Sequence, residues 1–359
     1  MRAAIRRGTA IVCEDIAEQP LAMGQVRVKT LACGICGSDL HAVHHLDRMV
    51  DLGRRAGGGM GLDPAKDVVF GHEFSAEILE HGPGTQKILK EGTRVVSVPA
   101  AMNPNGGMEL IGYSNLYPGG YSERLILTEA MLIEVPNGLS SEAAAMTEPF
   151  AVGAHAVAKA HLEPGSACLV VGCGPVGLAV IAALKARGHG PVIAADFSPV
   201  RRRAAEVLGA DVIVDPATDS PHTHWTAYGV PATLMEAQLA RMMGRSVARP
   251  IVFECVGAPN ILQSLIEGAP PGAQIVVAGV CMETDRIEPS LAINKELELT
   301  FVFGYSPNEF AQTLRDIAEG RIDAEAIVTS RVGLGETPDA FKRLARPDAD
   351  VKIVVEPWR

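Results

Sequence analysis

The feature that most constrains this chain is a glycine-rich turn between an apolar strand and a helix. Gly172, Gly174 and Gly177 fit the pattern G-x-G-x-x-G, and Pro175 and Val176 lie within it. The apolar run CLVV precedes the turn, and the helical segment LAVIAALKA follows it. A lone match to this pattern is weak evidence, but a strand–turn–helix setting is the one in which the turn binds the pyrophosphate of a dinucleotide.

An acidic residue at the end of the next strand completes the dinucleotide-binding pattern. Asp196 follows the run VIAA, 19 residues after Gly177, where an acid accepts hydrogen bonds from the adenosine ribose. Its negative charge favours NAD, because it repels the 2′-phosphate of NADP. The run from Arg201 to Arg203 complicates this preference, since an arginine here can bind a 2′-phosphate. Of the two interpretations of this run, we favour a solvated helix face.

The order of apolar and helical segments predicts an α/β chain in two parts. Its 359 residues are enough for two domains. Over roughly the first 100 residues, runs such as QVRVKTLAC and FSAEILEHG predict an irregular, mostly β domain. After a helix start at Ser140, and from Cys168 onward, apolar strands alternate with helices, which predicts a parallel sheet covered on both faces. A helix at 307–320 and a strand at 351–355 end the chain.

Composition narrows the possible partners and locations. The net charge of −10 argues against nucleic acid or an anionic membrane as the main partner. The seven cysteines are odd in number and scattered, which favours reduced thiols in a cytoplasm over a disulfide framework. The N-terminal residues show no signal peptide. The uncharged stretch 167–184 contains glycine and proline and predicts strand, turn and helix, not a membrane span.

Residues of the kinds that bind metals precede the dinucleotide pattern. Cys33 and Cys36 form a C-x-x-C pair, His72 and Glu73 begin 36 residues after Cys36, and Glu148 follows further downstream. Thiolate, imidazole and carboxylate together suit zinc. Three protein ligands leave a fourth position for water or substrate, as a catalytic zinc requires.

The cysteine pair and a nearby histidine pair allow other interpretations. C-x-x-C spacing also occurs in structural zinc sites and redox pairs. The sequence has no second C-x-x-C, so a structural four-cysteine site is disfavoured. His44 and His45 are two further candidate ligands, although an adjacent pair in a mobile loop is more often exposed to solvent.

The run CGICGSDLH, the later GHE and EP, and the glycine-rich pattern together resemble the zinc-containing medium-chain dehydrogenases. The similarity extends over residues 2 to 355. It implies a GroES-like, mostly β catalytic domain from residues 1–150 and 304–359, with an inserted Rossmann domain at 151–303. It also implies hydride transfer between NAD and a secondary alcohol, polyol or similar alcohol, which gives the aldehyde or ketone.

Within this resemblance, single residues match the family's metal site. Cys36 and His72 match two zinc ligands, whereas Cys33 matches none and is expected to be structural. Glu73 matches a carboxylate beside the metal that exchanges with water as a ligand in some members. Glu148 lies where the sorbitol and threonine dehydrogenase branch has a glutamate. It binds zinc either directly or through water, and Pro149 favours an extended backbone that presents it at a bend.

The resemblance also implies a proton path and further cofactor contacts. Ser38 matches the hydroxyl that contacts the zinc-bound alcohol, His41 the base at the outer end of the relay, and Asp39 a residue that supports the metal site. Asp196 matches the ribose-binding acid, and Arg201 a basic residue near that ribose. The residues that match loops lining the nicotinamide side are Cys255, Val256, Gly257, Ala278, Gly279 and Val280.

This sequence departs from the family pattern in three places, and each departure leads to a prediction. Residues 99–121, where members carry a four-cysteine structural zinc loop, contain no cysteine, so we predict one zinc per chain. Gly37 replaces a basic residue that some members use against the pyrophosphate, which leaves phosphate binding to the turn at 172–177. The predicted loop 42–66 is longer than in typical members, and it either caps the substrate mouth or is disordered.

Two rival interpretations stand beside an NAD-linked alcohol dehydrogenase with a small alcohol or carbonyl substrate. A zinc-free quinone or enone reductase would share the scaffold but lack the Cys/His/Glu set. A non-catalytic dinucleotide-binding protein would need no proton path, so the presence of Ser38 and His41 disfavours it. The apolar segment 297–304 is a candidate sheet edge through which subunits pair in a homodimer or homotetramer.

Overall fold

Both chain ends belong to one folded unit, and most of the middle of the chain forms a second. The structure is a computed structural model that describes residues 1–58, 61–104, 106–136, 138–346 and 348–359, with the backbone alone at residue 241. The first unit contains Met1–Glu148, Phe310–Glu319 and Val328–Arg359. The second contains Pro149–Glu309 and Gly320–Ile327. The domain limits expected from the sequence, at 150/151 and 303/304, stay predictions.

Short strands and helices build both units. In chain order the strands are β1 (Arg2–Arg7), β2 (Ala10–Asp15), β3 (Gln25–Gly34), β4 (Glu73–His81), β5 (Arg94–Ser97), β6 (Ala100–Met102), β7 (Met108–Leu110), β8 (Arg124–Thr128), β9 (Leu132–Glu134), β10 (Ala167–Val171), β11 (Val192–Ala195), β12 (Val212–Val214), β13 (Pro250–Glu254), β14 (Gln274–Val277), β15 (Glu298–Phe301), β16 (Val328–Val332) and β17 (Lys352–Val355). The helices are α1 (Gly37–Arg55), α2 (Ser141–Ala145), α3 (Thr147–Lys159), α4 (Pro175–Ala186), α5 (Pro199–Val207), α6 (Leu234–Met242), α7 (Ile261–Gly268), α8 (Pro289–Asn294), α9 (Pro307–Ala318) and α10 (Thr337–Leu344).

The first unit is the mostly β domain that the short, punctuated runs predict. Its main sheet has the order β16-β17-β3-β4-β5-β9, with β8 also paired to β3, and two antiparallel pairs, β1–β2 and β6–β7, lie beside it. Along β3, buried residues alternate with partly exposed ones, as in a strand with one face on a core. That core includes Val26 and Val28 of β3, together with Phe70 and Tyr121.

The predicted loop at 42–66 is wrong over its first part, because α1 continues to Arg55 with non-helical backbone angles at His45. The segment forms a helix because its apolar side chains recur at helical spacing and pack into the core of the first unit. Residues 59 and 60 of the predicted loop lie outside the described residues. The buried apolar residues of α1 are Ala42, Val43, Leu46 and Val50.

The second unit is the parallel α/β domain that the sequence predicts. Its sheet has the order β12-β11-β10-β13-β14-β15, and every neighbouring pair is parallel. This is the strand order of a dinucleotide-binding fold. The strands β11 and β13 are buried throughout, as expected for a sheet with helices on both faces.

The uncharged stretch at 167–184 forms β10, the glycine-rich turn and most of α4, as predicted. Among the described residues, no helix combines the length and the apolar character that crossing a bilayer requires.

Close packing of α3 on α4 makes Gly153 a sensitive position. A Cβ added there would lie 2.4 Å from the carbonyl carbon of Ala179. We therefore expect Gly153→Ala to lower the free energy of unfolding by about 1–3 kcal/mol, measured by urea denaturation. The matched control is Gly53→Ala in α1, where a Cβ meets nothing within 4 Å and alanine should stabilise the helix by about 0.5–1 kcal/mol. A shift of the same sign and size in both variants would contradict this packing.

Candidate active site

Strand pairing explains why residues far apart in the sequence form one cluster of potential metal ligands. β3 and β4 pair antiparallel, with Gly34 opposite Glu73. The end of β3, which leads into Cys36, therefore lies beside His72 and Glu73 at the start of β4. One sulfur, one ring nitrogen and one carboxylate oxygen from these three residues lie within 4.8 Å of one another. This donor set fits zinc.

Cys36 also stands at the amino-terminal end of a helix. It is the N-cap residue of α1. The N-terminus of a helix carries a partial positive charge, so the field of α1 favours negative charge at this end of the site.

Asp39 holds this cluster from the buried side. It is fully buried and accepts hydrogen bonds from the hydroxyls of Tyr121 (2.6 Å) and Tyr113 (2.8 Å) and from the backbone N–H of Cys36 (3.3 Å). Burial alone would raise the pKa of Asp39, but the neighbouring His72 and the hydroxyl donors hold it below its usual value. The carboxylate therefore stays charged next to the imidazole.

His72 lies in a strongly negative setting. Its Nδ1 is 3.5 Å from Oδ1 of Asp39, an ion-pair distance without good hydrogen-bond geometry. Burial lowers the pKa of His72, but Asp39 and Cys36 outweigh burial and raise it well above the usual value. A cation is therefore favoured at this ring, and protons compete with a metal ion for it. With Nδ1 turned towards Asp39, Nε2 is the nitrogen that remains for a metal.

Glu73 forms an ion pair with Lys352 inside the protein. Both side chains are buried, and Nζ of Lys352 lies 2.7 Å from each carboxylate oxygen and 3.0 Å from the carbonyl oxygen of Ile35. Burial lowers the pKa of Lys352, but Glu73, followed by Cys36, raises it overall. Gly34 leaves room for this pair, since a Cβ there would lie 2.0 Å from Oε2 of Glu73. Lys352 was not predicted from the sequence, although a single charge in the run VKIVV was an available signal.

Glu148 lies outside the three-residue cluster. Among the described residues, the group of potential ligands within 4.8 Å of one another consists of Cys36, His72 and Glu73. Glu148 is nevertheless almost buried and close enough to Lys352 to raise its pKa. The expected extended backbone is wrong, because Glu148 lies in the first turn of α3. Pro149 is tolerated there, since the first turn of a helix needs no N–H bond from it.

The two candidate proton-path residues lie about one turn apart at the start of α1. Ser38 and His41 are three residues apart, so they lie on the same side of the helix. The Ser38 hydroxyl is 3.0 Å from the Tyr113 hydroxyl. His41 is exposed to solvent, and partial burial, with the nearby His45, lowers its pKa. The ring is therefore neutral near pH 7 and able to accept a proton.

Three other candidates lie outside the metal cluster. Cys33 is fully buried, and a Cβ at Gly120 would lie 2.5 Å from its sulfur. Burial raises its pKa well above the usual value, as expected for a structural thiol. His44 and His45 are on the exposed side of α1 rather than in the predicted loop.

The glycine-rich turn has the geometry that its pattern predicts. Gly172 has a φ of +89°, which favours glycine. A Cβ at Gly177 would lie 1.8 Å from the carbonyl oxygen of Gly172, so the turn closes only with glycine there. Gly174 is the N-cap residue of α4, and Pro175 begins that helix. The free N–H groups of the helix N-terminus form an anion site.

Asp196 also supports the glycine-rich turn. One carboxylate oxygen accepts from the N–H of Cys173 and the other from the N–H of Ser198, each at 2.7 Å. Arg201 lies 4.0 Å from the same carboxylate. The interpretation of residues 201–203 as a solvated helix face is wrong for Arg202, which donates to the carbonyl oxygens of residues 196 and 197 and pairs with Asp215 at 3.0 Å.

Two further loops line the same sheet edge as the glycine-rich turn. They follow β13 and β14, and the carboxyl ends of neighbouring parallel strands meet at one edge. Glu254 joins them: its side chain accepts from the N–H groups of Val256 (2.7 Å) and Gly257 (2.8 Å). Its carbonyl oxygen accepts from Ala278 and Gly279, each at 2.9 Å. Both loops were predicted from the sequence, whereas Glu254, which orders them, was not.

Comparison with known proteins agrees with this architecture. The alcohol dehydrogenase GroES-like domain matches residues 22–137, and the zinc-binding dehydrogenase domain matches residues 175–319. An (R,R)-butanediol dehydrogenase of Bacillus subtilis is 33% identical, with 96% of each chain covered. A sorbitol dehydrogenase of the same organism is 28% identical, with 100% of this chain and 98% of the other covered. The crystal structure of 2R,3R-butanediol dehydrogenase from Bacillus subtilis aligns with a TM-score of 0.77 at 30% identity over 99% of each chain.

The chain therefore belongs to the family of zinc-containing medium-chain alcohol and polyol dehydrogenases. It is an oxidoreductase that uses zinc and a nicotinamide cofactor and acts on the CH–OH group of a small alcohol, or on the corresponding carbonyl compound. The relatives give no support to a zinc-free quinone or enone reductase or to a non-catalytic dinucleotide-binding protein.

Substitutions at the second and third glycines of the turn should have different effects. Gly177→Ala forces a Cβ into backbone, so we expect a lower melting temperature and loss of NADH binding. A Cβ at Gly174 meets nothing within 4 Å. Gly174→Ala should therefore keep the melting temperature but weaken NADH binding about tenfold or more, because it blocks approach of the pyrophosphate. Fluorescence titration with NADH and thermal unfolding measure both effects, and unchanged NADH affinity in Gly174→Ala would exclude the turn as the phosphate site.

The ion pair of Lys352 with Glu73 can be tested against an exposed pair. Lys352→Met leaves a buried carboxylate without its counter-charge, so the free energy of unfolding should fall by about 3–5 kcal/mol. Lys342→Met is the matched control, because Lys342 pairs with Asp339 on the surface at 2.9 Å and exposed pairs contribute little. Denaturant unfolding measures the stability of both variants. If Lys352→Met were as stable as Lys342→Met, Lys352 would not be needed to balance Glu73.

Proposed function

We propose that this enzyme oxidises a vicinal diol or related polyol at a secondary carbon, with one zinc ion per chain and NAD. The observation that carries the proposal is the convergence of Cys36, His72 and Glu73 within 4.8 Å. The substrate class is supported by the relatives, whose names are butanediol and sorbitol dehydrogenase.

In this proposal Cys36 and His72 hold the zinc, and Glu73 and Glu148 complete its surroundings directly or through water. When bound, zinc supplies a Lewis acid that lowers the pKa of the substrate hydroxyl. Asp39 orients the His72 ring, as buried carboxylates do for metal-binding histidines. Lys352 fixes the position of Glu73 by bonding to both of its carboxylate oxygens.

Ser38 and His41 handle the substrate proton. Ser38 accepts the hydrogen bond of the alcohol at Oγ. His41, exposed and with a lowered pKa, is the base from which the proton passes to solvent. Both residues lie near the start of α1, whose N-cap residue is Cys36, so one helix end positions Cys36, Ser38 and His41.

The preference for NAD rests on Asp196, whose carboxylate is buried at the end of β11 and tied to the glycine-rich turn. A 2′-phosphate would bring further negative charge to this carboxylate, and Arg201 is already engaged beside it. The nicotinamide side is assigned to the two loops that contain Cys255, Val256, Gly279 and Val280.

We also propose one zinc ion per chain, a homodimer or homotetramer, and a cytoplasmic location. Residues 99–121 carry the β6–β7 hairpin and two tyrosines that contact Asp39, in place of a cysteine-rich loop. β15 is the last strand at one end of its sheet. Phe301, its last residue, and Phe303 just after it are 69% and 91% exposed, which supports a homodimer or homotetramer built on this edge. A thiolate ligand at Cys36 suits the reducing cytoplasm.

Metal analysis of two cysteine variants tests the ligand assignment. The unaltered protein should contain one zinc per chain, and Cys36→Ser should lose most of that zinc. Its turnover should fall more than about 100-fold, since loss of a merely supporting residue already costs about 10–100-fold. Cys33→Ala is the control and should keep its zinc. Full zinc and turnover in Cys36→Ser would refute the assignment, and two zinc ions per chain would refute the single site.

A spectrophotometric screen tests the reaction and the cofactor. NAD should be reduced fastest with vicinal diols and polyols and more slowly with simple primary alcohols. With any of these substrates, NADP should be reduced more slowly than NAD. Removing zinc with a chelator should abolish all of these rates. Reduction of enones by the zinc-free protein, with no alcohol oxidation, would contradict the proposal.

A further inference from the structure

Tyr113, which the proposed reaction leaves unused, lies between Ser38 and Asp39. It is 8% exposed. Its hydroxyl oxygen is 3.0 Å from Oγ of Ser38 and 2.8 Å from Oδ1 of Asp39. Its ring centroid is 5.4 Å from that of His72 and 5.6 Å from that of Phe70. One side chain therefore contacts the proposed substrate-binding hydroxyl, the buried carboxylate and a metal ligand.

The directions of these two hydrogen bonds follow from the inventory of donors. A tyrosine hydroxyl has one hydrogen, so Tyr113 donates in only one of its two contacts. Asp39 is surrounded by donors, because Tyr121 and the backbone N–H of Cys36 also bond to its carboxylate, and a carboxylate only accepts. Tyr113 therefore donates to Asp39 and accepts from Ser38. The shorter of its two bonds, the one to Asp39, is the charge-assisted one.

We propose that Tyr113 is a positioning residue that fixes the direction of the Ser38 O–H bond while the alcohol binds, before the proton leaves the alcohol. With its hydrogen directed to Tyr113, Ser38 presents only lone pairs to a ligand in the site. It is then set to accept a hydrogen bond from an alcohol, and it has no hydrogen to offer to a carbonyl oxygen. The bound state of an alcohol is thereby favoured over that of a carbonyl compound. This inference rests on the proposed contact between Ser38 and the substrate.

Tyr121 provides a control within the same cluster. Its hydroxyl donates to Oδ2 of Asp39 at 2.6 Å and lies 3.1 Å from the carbonyl oxygen of Gly34. Like Tyr113, it is buried and supports Asp39. No contact with Ser38 is found for it among the described residues. Tyr113→Phe and Tyr121→Phe thus each remove one hydroxyl bond to Asp39, and only the first removes the acceptor of the Ser38 hydrogen.

The test compares two ligands that bind without reacting. A tertiary diol offers an O–H donor but has no carbinol hydrogen to transfer, and a small primary amide offers a carbonyl acceptor. Their dissociation constants are measured by calorimetry on the enzyme loaded with zinc and cofactor. In Tyr113→Phe the Ser38 hydroxyl is free to rotate, so the diol should bind about 2- to 10-fold more weakly and the amide equally or more tightly. In Tyr121→Phe the ratio of the two constants should stay unchanged.

The possible outcomes separate this inference from the proposed function. If Ser38→Ala changes neither dissociation constant, Ser38 does not contact the substrate and the proposed function fails at that residue. A different outcome is that Ser38→Ala weakens diol binding, while Tyr113→Phe leaves the ratio of the diol and amide dissociation constants unchanged or shifts it only as Tyr121→Phe does. In that case the role of Tyr113 is overturned and the role of Ser38 stands.

A measurement on the unaltered protein covers the case in which Tyr113→Phe does not fold. Neutron diffraction of the deuterated crystal should place a deuterium of Ser38 towards Tyr113 and that of Tyr113 towards Asp39. A deuterium on Tyr113 directed at Ser38 would overturn the proposal.

Discussion

The buried carboxylate of Asp39 is the group on which the candidate active site of the first unit depends. Within the described part of the chain it has no lysine or arginine as partner, and its charge is balanced by two tyrosine hydroxyls, one backbone N–H and the edge of an imidazole. A buried charge is costly unless it is hydrogen-bonded and paired. Asp39 therefore remains in place only if His72 and both tyrosines are ordered around it. The same condition fixes the ring of His72, a proposed metal ligand.

Glu73 is a second buried acidic residue, and its partner is the full positive charge of Lys352. Lys352 comes from the last strand of the chain and reaches both oxygens of Glu73. Buried pairs of this kind seldom add much stability by themselves, but removing one member leaves an expensive charge behind. The C-terminal strand is thereby linked to the metal cluster. β17 also pairs with β3, and together these contacts place the C-terminal strand in the first unit.

The parts of the molecule that local sequence determines were predictable. The glycine-rich turn requires a positive φ at Gly172 and close contact at Gly177. Both requirements are visible in the sequence because the two glycines lie in one short segment. The parallel sheet followed from alternating segments. The cluster of Cys36, His72 and Glu73 was accessible through family resemblance, and strand pairing explains it afterwards.

The supporting residues were not predictable, because their partners are distant in the sequence. Lys352 meets Glu73 across 279 residues, and Tyr113 meets Asp39 across 74. Neither pair leaves a periodic pattern in the chain. The helical part of residues 42–66 was missed for a different reason: the length of this segment suggested a loop, although its apolar spacing was helical. The position of Glu148 in a helix was missed because proline disfavours a helical residue before it, a rule that the first turn of α3 overrides.

The central proposal is that a thiolate, an imidazole and a carboxylate of the first unit together hold one zinc ion. X-ray absorption at the zinc edge, recorded on the purified enzyme, tests it most directly. The predicted result is a single sulfur at about 2.3 Å and nitrogen or oxygen neighbours at about 2.0–2.2 Å. A shell of four sulfurs, or one with no sulfur, would contradict it.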